Sequence, residues 1–136
     1  VMGTFAKYSK RDSILKLNEG VHRSFTAIAD ATGTVVHNCN LGHHWYHTSP
    51  DADFTANFTN LDLSPGYYAT MTLVIVQGGS AFEPTAVQIA GAGQTIIWAG
   101  NSAPTGTSNG HDIVTFKILN VSGTFKVLGE LKSHGG

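Results

Sequence analysis

The chain has 136 residues, enough for one domain and one core. Charged residues make up only 12% against 41% apolar, which excludes a charge-rich disordered chain, and no apolar stretch is long enough for a membrane-spanning helix. The formal net charge is −1, with five of the eight basic residues (Lys7, Lys10, Arg11, Lys16, Arg23) at the front and no Lys or Arg from Ser24 to Phe116. A duplex nucleic-acid binder needs several phosphate-neutralising cations on one folded face, so this body is not expected to bind nucleic acid.

Residues 1–20 are polar apart from Ile14-Leu15-Lys16-Leu17, and they read as an N-terminal arm or linker with at most one short strand. Residues 21–136 form the single domain. Short apolar or alternating runs follow at 25–29, 34–39, 42–48, 54–61, 67–77, 85–90, 94–99, 111–119 and 124–131, separated by Gly, Pro, Asn and Asp. Val114, Phe116 and Ile118 share one phase of a strand, as do Met71, Leu73 and Ile75, and no window keeps a helical spacing beyond one turn. With 16 Gly, 15 Thr and 10 Ser, this pattern predicts an all-β chain, a jelly-roll-like β-sandwich. Gly91-Ala92-Gly93 and Ser122-Gly123 are short enough for hairpins, and residues 100–110 make the one long loop, expected to be exposed.

One cysteine, Cys39, excludes an intrachain disulfide. It belongs to a histidine-rich stretch in which His37, Cys39, His43, His44 and His47 fall close together. His43 and His47 lie too far apart along one strand to share a metal without a bend, and His37 or Cys39 from a neighbouring strand would have to complete a tetrahedral site. The spacing matches no standard zinc pattern. The plainer reading is a strand of half-buried imidazoles with Trp45 in the core, and no cofactor is expected. Asp51 and Asp53, with Asp62, are two carboxylates at i, i+2 and a third beyond, which fit a solvated turn better than a calcium loop.

Trp45, Tyr46, Tyr67, Tyr68 and Trp98 are aromatic enough for a sugar platform, although such residues more often serve a core or subunit interface. No nucleophile elbow and no paired carboxylates on one predicted strand are found, so the chain reads as a non-enzyme.

The second half holds the pattern Ala69-Thr70-Met71-Thr72-Leu73-Val74-Ile75-Val76-Gln77-Gly78-Gly79, then Gln94-Thr95-Ile96-Ile97-Trp98-Ala99-Gly100. It continues through Ala103-Pro104-Thr105-Gly106, Asp112-Ile113-Val114-Thr115-Phe116 and Val127-Leu128-Gly129-Glu130-Leu131. Over residues 30–134 this resembles the β-rich C-terminal domain of tail-fibre-like and other virion structural proteins of marine and freshwater tailed phages, cyanophages among them. Phe125 stands where that pattern often has Trp.

The resemblance implies a virion component on the tail or capsid surface, a tail-fibre or tail-associated domain that associates with other virion proteins and with its own copies as a symmetric homotrimer. It leaves two alternatives open. One is a receptor module binding a host surface glycan at a fibre tip, and the other is a capsid decoration protein. No membrane insertion is implied.

Overall fold

The computed structural model describes residues 6–9 and 14–136, with side chains from Asn18 onward. Among the described residues twelve strands are formed, and the first two are β1 (Ala6–Ser9) and β2 (Ile14–Leu17). They pair antiparallel with each other from Ala6↔Leu17 to Ser9↔Ile14. The arm therefore carries two strands where at most one was expected, because a lone Ile14–Leu17 strand would leave its backbone groups without partners.

The body is a two-sheet sandwich, as the alternating runs predicted. Its chain path is not the antiparallel one of a jelly roll. Strands β3 (Thr26–Ala29), β4 (Gly33–Asn38), β5 (His44–Thr48), β6 (Phe54–Thr59), β7 (Tyr68–Val76) and β8 (Pro84–Ile89) alternate between the sheets. Each strand therefore finds its in-sheet neighbour two elements on, running the same way. The pairs β3·β5, β5·β7, β4·β6 and β6·β8 are all parallel. This part of the chain is a flat coil of paired strands.

The coil turns where polar residues take the left-handed conformation. Asp30, Ser49 and Asn60 have φ of 55°, 45° and 55° directly after β3, β5 and β6. Asp and Asn tolerate that region better than most residues. Two of the turns stack on the next layer, since the Asp30 N–H donates to the Thr48 carbonyl and the Ser49 N–H to the Val76 carbonyl.

After β8 the chain makes a hairpin with β9 (Ala92–Gln94), then enters the other sheet as β10 (Ile96–Trp98) without any turn residue between them. The run read as one strand over 94–99 thus bends at Thr95 and serves both sheets. The long hairpin β11 (His111–Val121) and β12 (Thr124–His134) completes the six-stranded sheet, whose order is β10-β12-β11-β7-β5-β3. The four-stranded sheet has the order β4-β6-β8-β9.

The core lies between the sheets. Met71, Leu73 and Ile75 of β7, Val114, Phe116 and Ile118 of β11, and Val127 of β12 are fully buried, facing Phe54, Ala56 and Phe58 of β6 and Val87 of β8. The predicted phase of both long strands holds. Trp98 is partly buried against this core, its ring 5.8 Å from that of Phe116. Among the described residues no helix is long and apolar enough to cross a membrane.

Candidate interaction surface

The sequence candidates separate into a buried group and a surface group. Trp45, His37 and His47 are buried. The Trp45 indole meets the His37 ring edge-on at 5.0 Å and the Phe58 ring at 5.6 Å. Trp45 is a core residue, which removes it from the ligand and interface candidates. The alternation had already placed Trp45 and His47 on one face of β5, but alternation alone does not say which face meets the other sheet.

His37 of β4 and His47 of β5 stand on opposite sheets and touch through their Nε2 atoms, 2.9 Å apart. The His37 Nδ1–H donates to the Val35 carbonyl at 3.0 Å, which leaves His37 Nε2 as an acceptor. The His47 Nε2–H must then be the donor, and His47 Nδ1 is a bare lone pair with no partner. Burial holds the His37 imidazole down at about 4, against the pull of the Val35 bond. Burial and the neighbouring His37 hold His47 at about 3. Both rings are neutral.

The other two metal candidates lie elsewhere. Cys39 opens a short turn, its Sγ 3.8 Å from the His37 carbonyl oxygen, and burial pushes its thiol up to about 11. His43 borders a shallow depression with His22, Arg23 and His44, and burial together with His44 lowers its basicity. Among the described residues no three His, Cys, Asp or Glu side chains are placed to hold a metal ion.

Tyr46, Tyr67 and Tyr68 are on the surface. Tyr46 lies on the outer face of the six-stranded sheet, in register with Ala27 and Val74, and Val74 is in register with Ile113. The Phe25 ring packs against it at 5.5 Å. On the same face Ile97 and Leu128 are paired and both exposed. The apolar row on this face runs from β3 to β11, beside Thr70, Thr72 and Thr115. It ends at β12, whose outer phase carries Lys126, Glu130 and Lys132 around Leu128, so Ile97 and Leu128 form a separate apolar pair beside Lys117. Toward the end of β7 the outer phase is apolar as well as the inner one, and Val74 and Val76 remain partly exposed.

Tyr67 and Tyr68 are among the most exposed large side chains, at 67% and 63%. With Pro65, Leu119 and Val121 they line a groove of about 440 Å³ at one end of the sheet. The Lys117 ammonium lies 4.8 Å from the Tyr68 ring centroid, a cation–π contact. Asn120 fixes this end. Its amide donates to the Leu63 carbonyl, its backbone N–H to Tyr67, and its carbonyl accepts from the Gly66 N–H. In the sequence, the signal for this role of Asn120 is an amide on the apolar phase of Val114, Phe116 and Ile118.

A second polar group that the sequence reading passed over sits at the opposite end of β11. The buried Asp112 accepts through Oδ2 from Gln77 Nε2 at 2.9 Å and from the Thr107 N–H at 2.8 Å, while its Oδ1 has no partner. Glu83 accepts from the Gly106 N–H at 3.3 Å. Burial raises the Glu83 carboxyl above its usual range; Asp53 and Asp112 add to this and the Gly106 bond opposes it. Asp53, just before β6, accepts from the Glu83 N–H at 3.1 Å, just before β8. The 100–110 loop is exposed as expected through Thr105, then pinned by these carboxyl groups. One oxygen of each carboxyl, Glu83 Oε2 and Asp112 Oδ2, is held by the loop backbone, and Asp112 Oδ1 is left without a partner.

Comparison with family models, curated proteins and solved structures finds no match for this chain.

Proposed function

We propose that this chain is a non-enzymatic structural component of a tailed-phage virion, a tail-fibre or tail-associated domain that assembles as a symmetric oligomer of its own copies. The observation that carries the self-assembly is the outer face of the six-stranded sheet, where Tyr46, Val74 and Ile113 share one row and Ile97 and Leu128 form another apolar pair. A strand with apolar side chains on both faces is stable when both faces are covered, and the second sheet covers only one. The virion setting and the number three rest on the resemblance described above. Sedimentation equilibrium of the intact chain tests the reading, with Val74→Lys as the variant. An oligomer that Val74→Lys breaks into smaller species supports it. A wild-type chain that stays at 14.4 kDa sinks it.

A second reading, a receptor module for a host surface glycan, is favoured by Tyr67 and Tyr68. Two adjacent exposed rings beside a groove suit stacking against sugar faces. Binding on a glycan array that is lost in Tyr67→Ala and Tyr68→Ala would favour it over a purely structural role. Locating the chain on an imaged particle distinguishes tail from capsid decoration.

A further inference from the structure

The two ends of the sandwich are finished differently. At one end β9 and β10 are three residues each and form one bent run that passes from sheet to sheet, so each sheet stops on a very short strand. Short, covered edges are a usual way to prevent unwanted strand pairing. At the other end β3 and β4, the first layer of the coil, are the outermost strands of both sheets at once. Among the described residues no strand pairs with their outer edges. Neither strand carries a Lys, Arg, Asp, Glu or Pro: β3 reads Thr-Ala-Ile-Ala and β4 reads Gly-Thr-Val-Val-His-Asn. Val36 on β4 is 58% exposed, and Phe25, just before β3, is 62% exposed.

We propose that this open end is a pairing surface for a second copy of the chain, joined edge to edge about a two-fold axis. The proposal goes beyond the self-assembly read above and names a contact separate from the outer sheet face. The occupant follows from geometry. Two open edges lie on opposite sheets, roughly 10 Å apart in any packed pair of sheets, and a single extended peptide satisfies only one of them. A second copy presents two edges at the same separation.

A two-fold axis perpendicular to the sheets sets β3 against its counterpart and β4 against its counterpart, both antiparallel. Both sheets then continue across the junction. A contact of this kind is isologous and closes at two copies. The chain's own β1 and β2 pair with each other and with neither open edge.

The test uses the full chain with two sets of variants. Thr34→Lys with Val36→Lys charges the open edge of β4 through side chains that already face solvent on the four-stranded sheet, and Val74→Lys charges the outer face of the six-stranded sheet. Sedimentation equilibrium from micromolar to sub-millimolar concentration should give the wild type an even multiple of the 14.4 kDa protomer. The edge pair should halve that mass or weaken the junction at least about tenfold, a charge on an edge strand being a recognised block to pairing. Backbone hydrogen exchange provides a readout that needs no variant, because amides of β3 and β4 should become more protected as concentration rises.

A mass unchanged by the edge pair, with β3 and β4 exchange independent of concentration, overturns the inference. If Val74→Lys alone lowers the mass, the inference fails and the outer-face reading stands. If the edge pair alone lowers it, the outer-face reading fails and the two-fold junction stands. A wild type that remains a monomer throughout overturns both.

Discussion

His37 and His47 hold the two sheets together through a single hydrogen bond between imidazoles, Nε2 to Nε2 at 2.9 Å. This arrangement has no good place for a further proton on either ring. A proton on His37 would point an N–H at the N–H of His47, and a proton on His47 Nδ1 would place a donor among apolar atoms with nothing to accept it. The strands packed on the pair contribute Phe54, Phe58 and Ile75, and the nearest carboxyl on the same inner row, Asp112, lies two strands from His47 beyond Ile75.

Acid should therefore destabilise the fold. Both folded-state values lie below the ordinary histidine value of 6.5, at about 4 and about 3. The unfolded chain takes up protons that the folded chain refuses, so the stabilisation is complete above 6.5 and lost as pH falls toward 4 and then 3. The loss should reach several kcal/mol, since each tenfold difference in proton affinity between the folded and unfolded chain is worth ~1.4 kcal/mol. Urea titrations at about pH 7 and about pH 4.5 measure it. Equal midpoints, or a His37→Phe/His47→Leu double variant that keeps the full acid sensitivity, would remove the pair from the account.

Much of the fold could be read from the residues. Ser122-Gly123 and the period-2 alternation on either side announced the β11–β12 hairpin, because two consecutive left-handed residues suit only a tight turn between twisted strands. The coil could not be read this way. Asp30, Ser49 and Asn60 signal that a strand stops, but nothing in a turn residue says which sheet receives the next strand. The layers also begin unevenly, at Thr26, His44 and Tyr68, so no repeat is visible in the sequence. The candidate site shows the same limit. The residue types in the histidine stretch suggested a cluster, while alternation and the crossover between β4 and β5 brought only His37 and His47 together and left His43 on the surface.

Gly129 makes room for Trp98. A Cβ at Gly129 would lie 2.8 Å and 2.9 Å from two indole carbons and 3.0 Å from the Ile96 side chain. These contacts join β10 to β12, where Trp98 and Gly129 are register partners. Gly129→Ala should destabilise the domain by about 1–3 kcal/mol, the usual cost of overfilling a packed site. Tryptophan fluorescence should shift toward that of an exposed indole. The Trp98→Ala background should make the alanine far better tolerated; full additivity of the two changes would show that they do not meet.

Ala90 is an alanine in a place that suits asparagine. It precedes Gly91 in the two-residue β8–β9 turn, and both have positive φ, 50° and 81°. Turns of this form favour Asn-Gly, because asparagine enters the left-handed region at lower cost than alanine. Ala90→Asn should raise stability by up to about 1 kcal/mol, seen as a higher thermal midpoint. A lower midpoint would mean that the turn is not held in this conformation in solution.

The last prediction concerns the loop that Asp112 ties down. Residues 100–105 are exposed except for a half-buried Pro104, whereas the Gly106 and Thr107 amides donate to Glu83 and Asp112. Removing the Asp112 carboxyl leaves the Thr107 N–H without an acceptor, at a cost of about 1–3 kcal/mol where water cannot reach, and takes one of the two acceptors of Gln77 Nε2, which still donates to the Phe82 carbonyl. It also relieves Glu83 of a neighbouring negative charge, so the net loss should fall at the lower end of that range. Asp112→Ala should release the second half of the loop while β11 stays paired on both sides. Limited proteolysis should then cut between residues 100 and 110 many times faster than in the wild type. Asp112→Asn, which keeps an oxygen for one of the two donors, should fall between them. Cleavage at the same rate in all three proteins would show that the loop is held by its own turns and not by the carboxyl group beneath it.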